Sequence, residues 1–237
     1  LVVLSEKPDA ILVYGDTNST LAGALVAAKL HVPLIHVEAG LRSFNKNMPE
    51  EINRVTTDHC SSLLFSPTKE GVKNLYAEGI KHEIGRYEVY HCGDIMYDNT
   101  LYFEKLALNK SKVLLDLGIE KDEYNLVTCH RPSNTDNKDN LSSIINSLKQ
   151  IKKIDEKQLV FPMHPRTEKM IKQFFGTKYL EDLKSQWIIL PPASFLDMIL
   201  LESSSNAIIT DSGGVQKEAY FFLKKSIILR DETEWVE

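Results

Sequence analysis

The sequence is poor in cysteine and has no excess of positive charge. Its three cysteines, Cys60, Cys92 and Cys129, lie far apart and without a CxxC pair. This pattern argues against a disulfide framework or a zinc site and predicts reduced thiols in a cytoplasmic protein. The formal net charge of −5 over 237 residues predicts no basic surface for nucleic acid or for an anionic membrane. No segment has the pattern of a signal peptide or the apolar length of a membrane span.

Nucleotide-binding motifs with a fixed consensus are also missing. The chain has neither a Walker lysine motif nor a GxGxxG fingerprint, so neither an NTPase nor a dinucleotide-dependent enzyme is supported. The histidines outside the strand ends described below show no metal-ligand spacing, and His36 with Glu38 forms at best one strand face. No metal ion is therefore expected. These histidines are His31, His36, His59, His82 and His91.

The two ends of the chain predict a piece of a longer protein. Residue 1 is leucine rather than methionine, and the chain opens inside an apolar segment at residues 1–4. It stops at Glu237, shortly after an apolar run that is typical of a strand. We therefore expect the first half of the fold to lack its start and the second half to lack its end.

Short apolar segments alternate with helical segments along nearly the whole chain. The apolar runs are continuous, which is typical of parallel strands covered on both faces in an α/β fold. Strands are predicted at residues 10–14, 33–37, 63–65, 87–92, 125–129, 158–162, 187–190, 207–210 and 227–229. Helices are predicted at residues 18–30, 49–60, 68–78, 98–117, 141–154, 167–175 and 195–202, and after residue 214.

A charged segment at residues 120–123 is predicted to separate two domains. The first domain would comprise residues 1–118, with the helix at 98–117 as a connection, and the second would comprise residues 119–237. Each has the strand–helix order of a Rossmann-like fold. Ligands of such sheets collect at the carboxyl ends of the strands, so the residues that follow each strand are the functional candidates.

The most informative strand end is the sequence Asp211-Ser212-Gly213-Gly214, which joins an apolar β-branched run to a helical segment. A strand, a turn and a helix start in this order aim backbone N–H groups, the Ser212 hydroxyl and the positive end of a helix dipole at one point. This arrangement suits a phosphate or another anion. The alternative is a tight turn in which Ser212 only caps the helix.

Acidic residues follow the strands of the first domain. Asp16 and Glu38 come directly after apolar strands, and Glu50 opens a helix. Carboxylates crowded into one cleft have pKa values that are pushed apart, as proton transfer to and from carbon requires. Asp16 could instead cap a helix or a turn. Glu50 could begin an exposed ion-pair ladder with Arg54 and Asp58, which follow it at helical spacing.

Histidine and arginine follow the strands of the second domain. His130 and Arg131 end one strand, and His164 ends another. A lone histidine is more often structural, but two such sites beside a Gly-Gly turn favour binding of a diphosphate. We therefore expect an acid/base side in the first domain and an anion-binding side in the second.

These strand ends carry a resemblance that extends over essentially the whole chain. Their motifs resemble, in order, those of the non-hydrolysing UDP-N-acetylglucosamine 2-epimerases. The motifs are YGDT from Tyr14, HVEAGLR from His36, PEEINR from Pro49, HR from His130, HP from His164 and DSGGVQKEA from Asp211.

The resemblance implies a fold and a reaction. The fold is the glycosyltransferase-B type, with two Rossmann-like domains. The reaction is an anti elimination of UDP that gives a 2-acetamidoglucal, followed by re-addition of UDP with C2 inverted. The resemblance further implies a UDP-sugar as the substrate, no cofactor and a homodimer.

The resemblance also implies roles for individual residues. Asp16, Glu38 and Glu50 match the acid/base carboxylates around C2 and C3, and His130 matches the active-site histidine beside the departing diphosphate. Glu218 matches the carboxylate that holds the ribose hydroxyls. The other residues expected to bind UDP are Arg131, His164 and the backbone cradle of Ser212, Gly213 and Gly214.

Several alternatives remain open. The motifs also resemble the related UDP-2,3-diacetamido-2,3-dideoxyglucuronate 2-epimerases, whose substrate differs at C3 and C6. A retaining glycosyltransferase of the same fold would not need three carboxylates around one carbon, and for a nucleotide-sugar sensing module they would be dispensable. The family's basic N-terminal loop and C-terminal helices have no counterpart here, so we expect at most UDP affinity and little turnover from this piece.

Overall fold

Two α/β units make up the described part of the chain, which is residues 2–230 of a computed structural model. The first unit comprises residues 2–95 and the second comprises residues 96–230. Each unit has its own sheet, and every strand pairs with its neighbours in parallel. The expected α/β class with parallel sheets is therefore confirmed.

The first unit is built on a four-stranded sheet whose strands lie side by side in chain order. Its strands are β1 (Ile11–Tyr14), β2 (Leu34–Val37), β3 (Leu63–Ser66) and β4 (Glu88–His91). Its helices are α1 (Val2–Glu6), α2 (Asn18–Leu30), α3 (Pro49–Cys60) and α4 (Lys69–Ala77).

The second unit has a five-stranded sheet and most of the helices. Its strands are β5 (Tyr124–Thr128), β6 (Gln158–Pro162), β7 (Ile188–Leu190), β8 (Ala207–Thr210) and β9 (Lys225–Ile228). The helices that follow the first unit's sheet are α5 (Ile95–Lys110), α6 (Val113–Leu117), α7 (Pro132–Thr135), α8 (Lys138–Asp155), α9 (Pro165–Phe175), α10 (Thr177–Gln186), α11 (Phe195–Ser204) and α12 (Gly213–Phe221).

The strand order of the second sheet is β7-β6-β5-β8-β9. Because the order reverses between β5 and β8, the loops that follow these two strands lead to opposite faces of the sheet. A crevice opens at such a switch point, outside the carboxyl ends of the strands. The loops concerned begin at Cys129 and Asp211.

Two hydrophobic clusters cover the two faces of the second sheet. Val127 and Ile209 pack into one cluster, while their neighbours Leu126 and Ile208 pack into the other. Since successive side chains of a strand point to opposite faces, both faces are buried. This burial is the physical reason for the continuous apolar runs in the sequence.

Local signals explain where several helices begin. The Thr17 hydroxyl accepts a hydrogen bond from the backbone N–H of Thr20 (3.3 Å) and caps α2. Pro49 stands at the first position of α3, where its missing N–H costs nothing. The Ser194 hydroxyl accepts from the N–H of Asp197 (3.3 Å) and caps α11.

The two compact units meet between residues 95 and 96, whereas the sequence predicts a division after residue 118. Helix α5, expected to belong to the first domain, packs into the core of the second unit. Its Phe103 and Ala107 belong to the cluster of Tyr124 and Leu201, and the ring of Phe103 meets that of Phe195 edge-on at 4.9 Å.

Several elements differ from the predicted ones. The single helix predicted at 98–117 is two helices, because the Ser111 hydroxyl donates to Asp197 Oδ1 (2.5 Å) and accepts from the N–H of Val113 (3.2 Å). Helices α1, α7 and α10 were not predicted. Residues 231–237, the end of the predicted second domain, lie outside the described residues. Among residues 2–230, no helix combines the length and the apolar character needed to cross a bilayer.

Candidate functional site

The turn after β8 has the geometry that its sequence predicts. Strand β8 ends at Thr210, and α12 begins at Gly213. The Ser212 hydroxyl caps the helix by accepting from the N–H of Val215 (3.4 Å), and the Ser212 N–H donates to Thr210 Oγ1 (2.9 Å). The alternative of a helix cap is therefore true of Ser212. It does not compete with anion binding, because the first N–H groups of a helix have no partners inside the helix.

Asp211 joins this turn to the loop after β5. Its buried carboxylate accepts hydrogen bonds from the backbone N–H groups of His130 (2.9 Å) and Arg131 (2.9 Å) and from the Asn134 amide (3.1 Å). The Asp211 carbonyl oxygen in turn accepts from Arg131 Nε (2.8 Å). One carboxylate thus holds the two loops of the switch point together. The sequence pattern places Asp211 only in the turn.

His130 and His164 lie close to each other at the ends of β5 and β6. Their ring centroids are 5.9 Å apart, and His130 Nδ1 lies 3.3 Å from Asp211 Oδ1. His164 Nδ1 accepts from the N–H of Arg166 (3.1 Å) and caps α9, so a neutral His164 ring carries its proton on Nε2 as a donor. Arg166, another strand-end residue, forms an ion pair with Asp136.

A crevice of about 200 Å³ opens beside these histidines. Its walls combine the polar strand ends with apolar side chains from the loop before α11, from α11 and from α12, so it offers an apolar wall next to hydrogen-bond donors. The apolar part is lined by Pro192, Ala193, Met198 and Val215.

Glu218 lies one helical turn after Gly214 on α12 and is half-buried. Burial raises its pKa above the ordinary value, and the nearby Lys217 opposes this shift. The separation of four residues from Gly214 to Glu218 corresponds to about 6 Å along the helix axis. A ligand bound at the start of α12 could therefore reach this carboxyl group.

Asp16 is held in an ion pair in the first unit. Its Oδ2 lies 2.6 Å from Nη1 of Arg54, whose side chain is 3% exposed. The cap of α2 is Thr17, so Asp16 does not cap this helix; it does lie in the turn that follows β1, which was the other part of the alternative. The Arg54 guanidinium also donates to Oε2 of Glu51 (3.1 Å).

Glu38 has a left-handed backbone, with φ of 78°. Such a conformation costs a non-glycine residue of the order of 1–3 kcal/mol and is concentrated at functional sites. It is held by the Phe65 carbonyl oxygen, which accepts from the N–H groups of Glu38 and Ala39 (3.0 Å each). A Cβ atom on Gly15 would lie 3.2 Å from Glu38 Oε2. The Glu38 carboxyl group is thus next to the loop that carries Asp16.

Glu50 is exposed at the second position of α3. The alternative of an exposed ion-pair ladder along this helix is wrong, because Arg54 and Asp58 are buried. Arg54 pairs with Asp16 and with Glu51 rather than with Glu50. Asp58 accepts from the N–H of Gly40 (3.1 Å) and pairs with Arg42 Nη1 (2.7 Å). Glu50 lies one turn from Arg54 and does not begin a ladder with it.

Glu51, the residue after Glu50, is buried and was not among the predicted site residues. Its carboxylate accepts from the backbone N–H groups of Ser43 (2.9 Å) and Phe44 (2.9 Å). Burial would raise the pKa of Glu51, but these hydrogen bonds and the charge of Arg54 bring it below its ordinary value. Glu51 therefore anchors both the loop at residues 43–44 and the guanidinium that holds Asp16.

His36 has a structural position in the same unit. Its side chain is fully buried, with Nδ1 2.6 Å from Asp58 Oδ1 and Nε2 2.8 Å from the Gly15 carbonyl oxygen. It therefore links helix α3 to the loop of Asp16. In the part of the chain that the structure describes, no group of three or more His, Cys, Asp or Glu residues is arranged to hold a metal ion.

Comparison with known proteins identifies similar sequences over the full length of this chain. The family model described as UDP-N-acetylglucosamine 2-epimerase matches residues 1–237. A Methanococcus maripaludis protein named UDP-N-acetylglucosamine 2-epimerase homolog is 48% identical over an alignment of 240 residues, which covers 100% of this chain and 64% of that protein. The UDP-2,3-diacetamido-2,3-dideoxy-D-glucuronate 2-epimerase of Pseudomonas aeruginosa is 46% identical over 237 residues, covering 100% of this chain and 62% of that protein.

A solved structure has the same fold. It is the crystal structure of the Methanocaldococcus jannaschii UDP-GlcNAc 2-epimerase in complex with UDP-GlcNAc and UDP, with a TM-score of 0.84 and 45% identity. The match covers 99% of this chain and 63% of that one. It confirms the expected fold class of two Rossmann-like domains of the glycosyltransferase-B type. The chain spans 62–64% of the length of these two curated relatives.

Proposed function

The chain belongs to the UDP-N-acetylglucosamine 2-epimerase family, and we propose that it interconverts UDP-N-acetylglucosamine and UDP-N-acetylmannosamine. A carboxylate takes the C2 proton, the C–H electron pair forms the C1–C2 double bond, and the C1–O bond breaks as UDP leaves. Re-addition of UDP at C1 is accompanied by return of a proton to the opposite face of C2. The products would serve as precursors of cell-surface polysaccharides.

The single observation that carries this proposal is the position of Asp211. Its carboxylate holds the backbone of His130 and Arg131 beside the turn of Ser212 and Gly213. Donors that are fixed before the reaction stabilise charge as it develops, because they need not reorganise. The diphosphate gains negative charge when the C1–O bond breaks, so this arrangement fits the leaving group of the proposed elimination.

Further groups in the second unit fit the rest of a uridine nucleotide. The apolar wall of the crevice offers a surface for a planar base. The carboxyl group of Glu218 would accept from the ribose hydroxyls, one helical turn beyond the diphosphate. Arg131 and His164 complete the proposed UDP-binding set.

The acid/base chemistry is assigned to Asp16, Glu38 and Glu50 in the first unit. Asp16 is supported by its ion pair with Arg54, which holds the carboxylate in one position. Glu38 is supported by its strained backbone and its position beside the Asp16 loop. Glu50 has the weakest structural support, since it is exposed. His130 would act beside the departing diphosphate.

A second candidate substrate is UDP-2,3-diacetamido-2,3-dideoxyglucuronate. The relative with that activity in its name is 46% identical, against 48% for the epimerase homolog. Both substrates would undergo the same chemistry at C2. A glycosyltransferase or a nucleotide-sugar sensor receives less support, because the buried partners of Asp16 and the strain at Glu38 have no evident use there.

Solvent isotope exchange tests the proposal. The protein expressed from its complete gene is incubated with each UDP-sugar in D2O, and deuterium at C2 is followed by NMR. Exchange with UDP-N-acetylglucosamine is expected, together with the manno epimer. Exchange only with the diacetamido-uronate would assign the second substrate. Sugar transfer without exchange would support a transferase, and binding without turnover a sensor.

The Glu38→Gln variant gives a matched control for this test. It keeps the size and the backbone of Glu38 but removes the group that exchanges a proton, so exchange should be abolished while UDP affinity is kept. Undiminished exchange in this variant would remove Glu38 from the mechanism.

We further propose a homodimer without a cofactor, in the cytoplasm, where the three free cysteines would stay reduced.

A further inference from the structure

Glu202 is a fully buried acid in the second unit. It lies near the end of α11, among the apolar residues Leu200 and Leu201, and its side chain has 0% exposure. Within residues 2–230, neither of its carboxyl oxygens receives a hydrogen bond. Burying an ionised carboxylate without a donor or a cation is very costly. Its presence in this core therefore needs an explanation.

The carboxyl group of Glu218 faces Glu202, and the charge of Glu202 also acts on the buried Tyr124 hydroxyl. Helices α11 and α12 pack against each other, and burial together with the charge of Glu218 raises the pKa of Glu202 well above its ordinary value. Burial also raises the pKa of Glu218, while Lys217 opposes this shift. Two carboxyl groups that share one buried place do not both ionise near neutral pH.

The proton of the pair belongs on Glu202. Glu202 is completely buried, whereas Glu218 is half-buried and has Lys217 beside it. Since an ionised group is favoured where solvent and positive charge are closer, Glu218 is the carboxylate and Glu202 the neutral acid. A neutral carboxylic acid is a hydrogen-bond donor, which gives Glu202 the partner that it otherwise lacks.

We propose that Glu202 is a positioning residue for nucleotide binding. Its carboxylic acid O–H donates to one side of the Glu218 carboxylate and leaves the other lone pairs directed at the two ribose hydroxyls. This inference rests on the proposed function, in which Glu218 holds the ribose. It adds that the ribose carboxylate is oriented by a second, protonated acid in the core.

A purely structural role predicts a different behaviour. If Glu202 does not stabilise the fold, an apolar side chain of similar size should pack at this position at no cost in stability, because it avoids burying a polar group. If Glu202 served the fold alone, replacing it should destabilise the protein. If it orients Glu218, replacing it should impair recognition of the ribose hydroxyls and spare the fold.

The test combines variants at position 202 with two nucleotides. Binding of UDP and of 2′,3′-dideoxy-UDP to the purified protein is measured by calorimetry, for the wild type and for Glu202→Met and Glu202→Gln. Wild-type protein is expected to prefer UDP. Glu202→Met should weaken UDP binding by about tenfold, the value of one hydrogen bond, and leave the affinity for dideoxy-UDP and the melting temperature unchanged. Glu202→Gln should keep the preference, since its amide N–H can donate to Glu218.

Glu218→Gln is the reference variant, because it should lose the same preference through a residue that contacts the ribose directly. Four results would each overturn the positioning role. Three concern Glu202→Met: equal weakening of the binding of both nucleotides, no weakening of the binding of either, or failure of the variant to fold. The fourth is loss of the preference for UDP in Glu202→Gln. A wild-type protein that binds neither nucleotide would overturn the proposed function, and with it the premise of the inference.

Discussion

Arg54 Nη1 lies 2.6 Å from Asp16 Oδ2, and the guanidinium that makes this contact is almost completely buried. The same side chain donates from Nε to Glu51, whose carboxylate also accepts from the backbone at residues 43 and 44. Arg54 is therefore a fixed support for Asp16, because its own position is set by a second buried carboxylate. Breaking this support should affect both the stability of the first unit and the acid/base chemistry.

Replacing Arg54 by Met should be strongly destabilising. It leaves Glu51 buried without its cation, which typically costs about 3–5 kcal/mol, and it releases Asp16. Isotope exchange at C2 should fall by about 100-fold or more, while UDP affinity, which depends on residues of the second unit, should persist in the folded fraction. Urea unfolding and the NMR exchange assay measure the two effects.

The matched control for that variant is Arg86→Met. Arg86 also pairs with a glutamate, Glu83, but both side chains are exposed, and such pairs contribute less than about 1 kcal/mol. Equal destabilisation by the two Arg→Met changes would show that burial of Arg54 has no energetic consequence.

Asp211→Asn should weaken the second unit and the UDP site together. Asparagine keeps the shape of the side chain, but its amide N–H group would face N–H groups that now donate hydrogen bonds to the carboxylate. Loss of hydrogen bonds to a charged group corresponds to about 2–3 kcal/mol of unfolding free energy, and UDP affinity should fall because the backbone of His130 and Arg131 is no longer held.

The control is Asp136→Asn, which alters another carboxylate near the same loop. Asp136 is exposed and pairs with Arg166, so its replacement should change neither stability nor UDP affinity appreciably. Retained UDP affinity in a folded Asp211→Asn protein would argue against the role of Asp211.

Gly214→Ala should separate ligand binding from folding. A Cβ atom at this position would meet Ser212 Oγ at 3.8 Å, an ordinary contact, and alanine favours the helix by up to about 1 kcal/mol. The melting temperature should therefore be unchanged or higher, while UDP binding should weaken because the methyl group occupies the space of the diphosphate. UDP affinity equal to that of the wild type would exclude a close approach of the phosphate here.

Gly40→Ala is the contrasting variant. Gly40 has φ of 86°, and its Cβ atom would lie 2.3 Å from the Gly71 carbonyl oxygen. This change should prevent stable folding of the first unit, as seen by loss of the cooperative unfolding transition.

The strain at Glu38 should be measurable as well. Glu38→Gly should raise the unfolding free energy by about 1 kcal/mol, because glycine adopts a positive φ without the steric cost, and it should abolish C2 exchange. Leu223→Gly provides a control at another left-handed residue, with φ of 55° and high exposure, and should keep full exchange. A destabilised Glu38→Gly protein would show that the backbone at this position is not strained.

The pH dependence of stability should report the buried acid Glu202. A carboxyl group whose pKa is raised on folding binds its proton more tightly in the folded state. Its contribution to stability is therefore complete below the unfolded pKa of about 4.5 and is lost as the pH rises through the folded pKa. Glu202→Gln has no titrating group at this position. The free energy of unfolding of this variant, relative to that of the wild type, should therefore rise from pH 4 to pH 8. A difference in unfolding free energy between variant and wild type that is constant with pH would show that Glu202 is ionised in the folded protein.

Much of the fold followed from local patterns. The continuous apolar runs predicted parallel strands, and the structure explains them by the two clusters that cover opposite faces of the second sheet. Thr17 and Pro49 marked helix starts through effects that act within one turn. Helix α10 was missed although it buries Leu180 and Leu183, because the turn at Gly176 and the helix directly behind it give no separate signal.

The residues of the candidate site were proposed from their places after strands, but their partners were not. The sequence alone determined that acids follow the strands of one half and that donors follow the strands of the other, since strand ends are visible in the apolar pattern. Only the tertiary structure decided that Asp211 holds His130, 81 positions away, that Arg54 turns to Asp16 rather than to Glu50, and that Glu202 faces Glu218. Such pairings depend on which charged groups are buried next to each other when neighbouring elements pack. The free energy of pairing two buried charges is not encoded in the spacing of residues along one helix or strand.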